Sequence, residues 1–140
     1  MRIVLDTSVV VAGLRSRHGT SNRNLVAVAE QRCRPPVTTA LFLEYETVLL
    51  RPEHQLATRL GPVDVAAFLS AFASASEGVE VNFLWRPQLR DPNDRMVLEA
   101  AVNGRATALV THDVADFEHA TARFGIPTWA PSRLLKELKP

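Results

Sequence analysis

Five aspartates and one glutamate in this 140-residue chain sit where carboxylates could act together. Asp6 closes "RIVLD", Asp91 and Asp94 stand three residues apart in "RDPNDRMVLEAA", and Asp113 and Asp116 end "ALVTHDVADF". Glu44 lies inside "LFLEYETVLL". Converging carboxylates raise one another's pKa unless a cation neutralises them. All-oxygen ligands suit hard ions such as Mg²⁺ or Mn²⁺ rather than Zn²⁺. Such ions activate water and clamp the oxygens of a phosphodiester. Each acid also has a purely structural explanation. Asp91 fits an N-cap, Pro92 the first helical position and Asp94 the acidic third position.

The elements that must position these acids follow from the apolar pattern. "RIVLD" (2–6) reads as a short buried strand, and "TSVVVAGLRS" as a helix start capped by Thr7 or Ser8. Residues 17–24 read as a loop, 24–33 as a helix and 34–39 as a short strand or turn. A second amphipathic helix spans 38–50, capped by Thr38 or Thr39, and ends or restarts near Arg51-Pro52. Helix 61–78 runs from Pro62 to Gly78, and "VEVNFLW" (79–85) alternates as a strand. Then come helix 91–104, strand 106–113, helix 113–125, strand 126–129 and helix 130–138. Strands alternating with helices imply a parallel sheet covered on both faces. Ligands of such sheets bind beyond the carboxyl ends of the strands. Five of the six aspartates fall at strand ends or in turns into helices; Asp64 is the other. Glu44 lies beside the Leu41/Val48 stripe, where a carboxylate needs a partner, whereas Glu46 points away.

Bulk properties narrow the field. The length suits one domain, 1–140, and 46% apolar with 22% charged residues suits a globular protein. A net charge of +1 demands neither nucleic acid nor membrane as partner. One cysteine, Cys33, excludes a disulfide framework, and "SVVVAGL" is far too short to span a bilayer. "MRIVLD" enters a strand at once, leaving no room for a signal peptide, so the expectation is cytoplasmic. His18, His54, His112 and His119 form no pair with zinc-ligand spacing and read as surface residues. Ser8 stands where a phosphatase of the haloacid dehalogenase type carries its second aspartate. A receiver domain needs paired N-terminal acids and a late lysine, but Asp6 stands alone and the lysines are Lys136 and Lys139. The six glycines are scattered singly, without a phosphate loop. Arg15, Arg17 and Arg23 surround the first loop, and Arg86, Arg90 and Arg95 flank the acid pair. They could guide a nucleic-acid backbone, or form a solvated surface, Arg95 pairing with Glu99.

Four segments, "MRIVLDTSVVVAGL", "LFLEYETVLLRPE", "RDPNDRMVLEAA" and "ALVTHDVADF", together resemble PIN-domain nucleases, most closely the toxins of toxin–antitoxin pairs. The resemblance covers essentially the whole chain. It implies an α/β fold: a three-layer α/β/α sandwich with a short, mostly parallel sheet of four to five strands. It also implies cleavage of single-stranded or structured RNA with one or two Mg²⁺ or Mn²⁺ ions, a small antitoxin partner and a homodimer. By position, Asp6, Glu44, Asp94 and Asp113 correspond to the family's four acids, with Asp116 as an accessory metal ligand. Ser8 stands where many members carry Asn, and Thr111 matches the polar residue two before the last acid. With Arg15, Arg17 and Arg95 these are the expected substrate contacts. His112 stands where Gly or Asn is frequent, and no catalytic role is expected of it. Phe68 and Phe72 are core or a dimer face. The alternatives are a solitary RNA-processing nuclease and a non-catalytic module that binds RNA or protein.

Overall fold

Ile3, Val4 and Leu5 are fully buried, as are Ala108, Leu109 and Val110. These two apolar runs pair in parallel as β1 (Ile3–Leu5) and β4 (Ala108–Val110), Leu5 beside Val110. Strands covered on both faces carry such unbroken apolar runs. The computed structural model describes residues 1–82 and 94–138. Among these, α1 (Thr7–Arg15), α2 (Thr20–Ala29), β2 (Pro36–Val37), α3 (Thr39–Leu49), α4 (Pro52–Thr58), α5 (Pro62–Ala75) and β3 (Glu77–Gly78) follow β1. Helix α6 (Asp94–Asn103) leads into β4, and α7 (Val114–Ala122), β5 (Thr128–Trp129) and α8 (Pro131–Glu137) complete the order.

The five strands divide into a three-stranded sheet, β1-β4-β5, and a two-stranded sheet, β2-β3, all pairs parallel. A parallel bridge between Arg2 and Arg34 joins the two. The continuous order is therefore β3-β2-β1-β4-β5. The chain moves outward from β1 on one side and returns to β4 on the other. That reversal puts the topological switch point between the carboxyl ends of β1 and β4, where open α/β sheets place their ligands. Helix α6 packs on β1, β2 and β4, α7 and α8 pack on β5, and α1 packs on α2, α3 and α4. One core joins sheet and helices, from Val4 and Leu109 to Tyr45, Phe72, Phe117 and Leu134. Tyr45 and Phe72 meet edge to face at 5.6 Å, and half-buried Phe68 packs beside Phe72, so the pair belongs to the core.

Several boundaries differ from the sequence expectation. Helix α2 begins at Thr20, inside the expected loop, because its polar residues are used inward. Asn24 is fully buried and its amide donates to the carbonyls of Thr20 and Pro131. Helix α5 stops at Ala75 rather than Gly78: Ser76 is extended, and its hydroxyl caps the Phe72 carbonyl at 2.6 Å. The strand expected at 79–85 lies earlier, at Glu77–Gly78, because its partner β2 is only two residues long. Glu77 N–H donates to Pro35 and Val79 N–H to Val37. Residues 79–82 have no regular structure, and 83–85 lie outside the described residues, as do Arg86, Arg90, Asp91 and Pro92. Thr38 is the cap of α3, accepting from Leu41 N–H at 3.1 Å. Asp64 accepts from Gly61 N–H at the start of α5, so its role is structural. Among the described residues no single helix is long and apolar enough to cross a membrane.

Candidate active site

Asp6 follows the last residue of β1 and occupies the N-cap position of α1, where Thr7 or Ser8 was expected. Its side chain does not cap the helix. The carboxylate instead accepts two hydroxyls on one oxygen, from Thr111 at 2.7 Å and Ser8 at 2.8 Å. The β1–β4 register makes the first contact possible: Asp6 N–H donates to Val110 O at 2.8 Å, so Thr111 comes alongside. Thr111 is fully buried, and its oxygen also accepts from Asp113 N–H at 3.0 Å. One hydroxyl thus ties Asp6 to the turn that carries Asp113. Beneath, the buried Tyr45 hydroxyl donates to the Leu5 carbonyl. It links α3, which carries Glu44, to the end of β1.

A cleft of about 190 Å³ opens over this point, lined by Asp6, Thr7, Ser8, Glu44, Val48, Arg51, Asp94 and Asp113. Four acids from four separate segments therefore share one cleft. Glu44 is half-buried and Glu46 exposed, as the helical pattern of α3 implies. Asp94 is half-buried in the first turn of α6, and Asp113 is exposed at the start of α7. Asp116, exposed one turn into α7, is not among the residues that line the cleft. Arg51 was missed by sequence reasoning. It is the extended N-cap of α4, two residues past the end of α3, so no helical spacing from Glu44 marks it.

Of the expected substrate contacts, Ser8 and Thr111 hold Asp6. Arg95 lies 3.6 Å from Glu99, one turn along α6. Arg15 and Arg17 are exposed, and Arg15 lines a second cleft of about 390 Å³ with His54 and His112. His112 is exposed and His54 half-buried, in keeping with surface positions, and nothing in the local sequence marks them as neighbours across the fold.

Electrostatics set Asp6 apart. Burial pushes its carboxyl above the usual range, and the nearby Asp113 adds to this. Hydrogen bonds from Thr111, Ser8 and the Thr7 backbone pull the other way without winning. Among the described residues Asp6, Glu44 and Asp113 make no ion pair. A desolvated carboxylate beside further carboxylates is what a bound cation relieves. The donors are all oxygens, which suits a hard divalent ion. As they lie, no three His, Cys, Asp or Glu side chains among the described residues are grouped to hold one ion. The donor chemistry nevertheless fits such an ion.

A parallel α/β sheet with carboxylates gathered over its switch point defines a class of acid-lined α/β domains suited to divalent-ion chemistry. Residues 2–115 match the family model of the PIN domain, and the chain belongs to that family. Membership suggests a nuclease acting on nucleic acid, and PIN-domain nucleases typically use divalent metals. No curated protein matches the chain.

Proposed function

We propose that the chain is an endoribonuclease that cleaves single-stranded RNA and serves as the toxin of a toxin–antitoxin pair. The observation that carries the nuclease reading is the shared cleft of Asp6, Glu44, Asp94 and Asp113. These four would hold one or two Mg²⁺ or Mn²⁺ ions, with Asp116 as an accessory acid one turn along α7. An ion bound there supplies activation of water and electrostatic clamping of the scissile phosphodiester. The chain's own residues do the rest. Thr111 and Ser8 hold the Asp6 carboxylate in one orientation, so it need not reorganise when charge develops nearby. Arg51, in the wall of the cleft, would bind a phosphate oxygen of the strand. Arg15 and Arg17 supply a sequence-independent attraction for the backbone near the end of α1. Arg95, tied to Glu99, would reach a phosphate only by leaving that partner.

The test is cleavage of single-stranded RNA by purified protein with Mn²⁺, with EDTA, and in an Asp6→Asn variant. Cleavage indifferent to both chelation and the substitution sinks the reading. The toxin role rests on the four motifs shared with that branch of the family. It predicts a short open reading frame directly upstream whose product co-purifies with the chain and blocks cleavage. An active enzyme without such a neighbour is instead a solitary RNA-processing nuclease.

A further inference from the structure

The acid cleft has a neighbour of different chemistry. The second cleft shares Thr7, Ser8 and Val48 with it, so the two meet along the first turn of α1. Its remaining wall is Arg15, His54 and His112 over Val11 and Ala12, with no carboxylate among the described residues that line it. One side of the Thr7–Ser8 ridge is therefore acidic, and the other combines a guanidinium, two imidazoles and an apolar floor. Its volume, about 390 Å³, lies at the small end of the ~300–1,000 Å³ range of ligand pockets. The His112 ring is exposed but anchored: its Nε2 lies 2.8 Å from the hydroxyl of Ser21, a buried residue of α2. An anchored ring loses less freedom when a ligand stacks on it.

We infer that this second cleft is a subsite for one nucleotide of a single strand, immediately beside the phosphate held at the acid cleft. Arg15 binds the backbone phosphate, and the imidazoles of His54 and His112 form the wall against which the base stacks. Histidine stacks on unpaired bases as other aromatic residues do, and such contacts tolerate any base. Arginine matches phosphate geometry. The inference rests on the nucleic-acid reading of the acid cleft, but it assigns the strand's path and the contacts that distinguish a base from bare backbone.

The experiment measures binding by fluorescence anisotropy in EDTA at pH 8, so that no cleavage intervenes. The ligands are a labelled octauridylate and an abasic ribose-phosphate strand of the same length. Wild type should prefer the base-bearing strand by about 5-fold to 150-fold, the range for one base–aromatic stack. The His54→Ala/His112→Ala double variant should lose most of that preference and bind the abasic strand as wild type does. His112→Phe, which keeps a ring but loses the Ser21 contact, should retain it. Arg15→Ala should weaken both strands alike, with the slope of log K against log salt shallower by about 0.7. Melting temperatures confirm that each variant is folded. A wild type without base preference, or a double-histidine variant that keeps it, overturns the subsite. Manganese-dependent cleavage by wild type and by Asp94→Asn is scored separately. Cleavage that depends on Asp94, with base preference unmoved by the histidines, removes the subsite and leaves the nuclease. Base preference that depends on the histidines, in a protein that cuts no RNA, removes the nuclease and leaves the subsite.

Discussion

Replacing Thr111 with valine removes one hydroxyl and changes almost nothing in shape. Thr111 is fully buried, and its oxygen donates to Asp6 at 2.7 Å while accepting from Asp113 N–H at 3.0 Å. A hydrogen bond to a charged group contributes about 1.5–3 kcal/mol, a neutral one about 0.5–1.5 kcal/mol. Asp113 is exposed, so water can take over its N–H and that loss is small. The expected cost at neutral pH, in chelator, is therefore about 1.5–3 kcal/mol. For a chain of this size that lowers Tm by roughly 5–10 °C. The pH dependence carries the stronger test. Burial already holds the Asp6 carboxyl above its usual range, and the Thr111 hydroxyl opposes that rise. Valine lets it rise further. The variant's folded state then keeps its proton to a higher pH than wild type does, so the stability gap widens as pH rises through that window. Above both values the full charged-acceptor cost applies; below both only the neutral one remains. Urea unfolding of both proteins at pH 7 and at the lowest pH where both fold should show the gap shrinking by about half. A gap under about 0.5 kcal/mol, or one equal at both pH values, refutes the assignment of Thr111 as the group that holds a charged Asp6.

Asp94→Asn should abolish manganese-dependent RNA cleavage in a protein that still melts cooperatively. Asp91→Asn, at the expected helix cap, should cost about 1 kcal/mol or less and leave cleavage standing; the reverse pattern means that the two aspartates were assigned the wrong way round. Mn²⁺ at about 100 times its Kd should stabilise wild type by about 2.7 kcal/mol in a thermal-shift assay. The Asp6→Asn protein should respond much less, and an equal response places the ion elsewhere. Gly104→Ala should destabilise the fold by about 1–3 kcal/mol, because its Cβ would stand 2.4 Å from Cβ of Pro36 and 2.7 Å from the Ala100 carbonyl. An unchanged urea midpoint would show that β2 yields more easily than its packing implies.

What the sequence carried by itself was local chemistry with a period. The unbroken apolar runs at 3–5 and 108–110 identify buried strands because a strand covered on both faces leaves no room for alternation. Acids placed directly after such strands, and Glu44 beside the stripe of α3, follow from the same patterns. Those patterns leave Asp91 beside Asp94 and Asp116 beside Asp113, and the resemblance to the PIN family singles out Asp6, Glu44, Asp94 and Asp113. The alternation of strands and helices likewise implied the parallel sheet. Extents were harder to read, since pairing and capping partners set them. Helix α2 begins four residues early because Asn24 has a buried carbonyl to donate to in Pro131, 107 positions away. Strand β3 ends at Gly78 because β2 offers nothing longer to pair with.

Only the tertiary structure decided what the polar residues around the acids do. Ser8 and Thr111 read as contacts for a substrate, yet both hydroxyls donate to Asp6, Ser8 from the first turn of α1 and Thr111 through the β1–β4 register from 105 residues away. Arg51, His54 and His112 carry no local pattern that marks them, and packing alone sets them along the two adjoining clefts. Spacing along a chain reports which face of one element a residue occupies. It does not report which face of another element it meets, because that depends on crossovers and register set by the whole core.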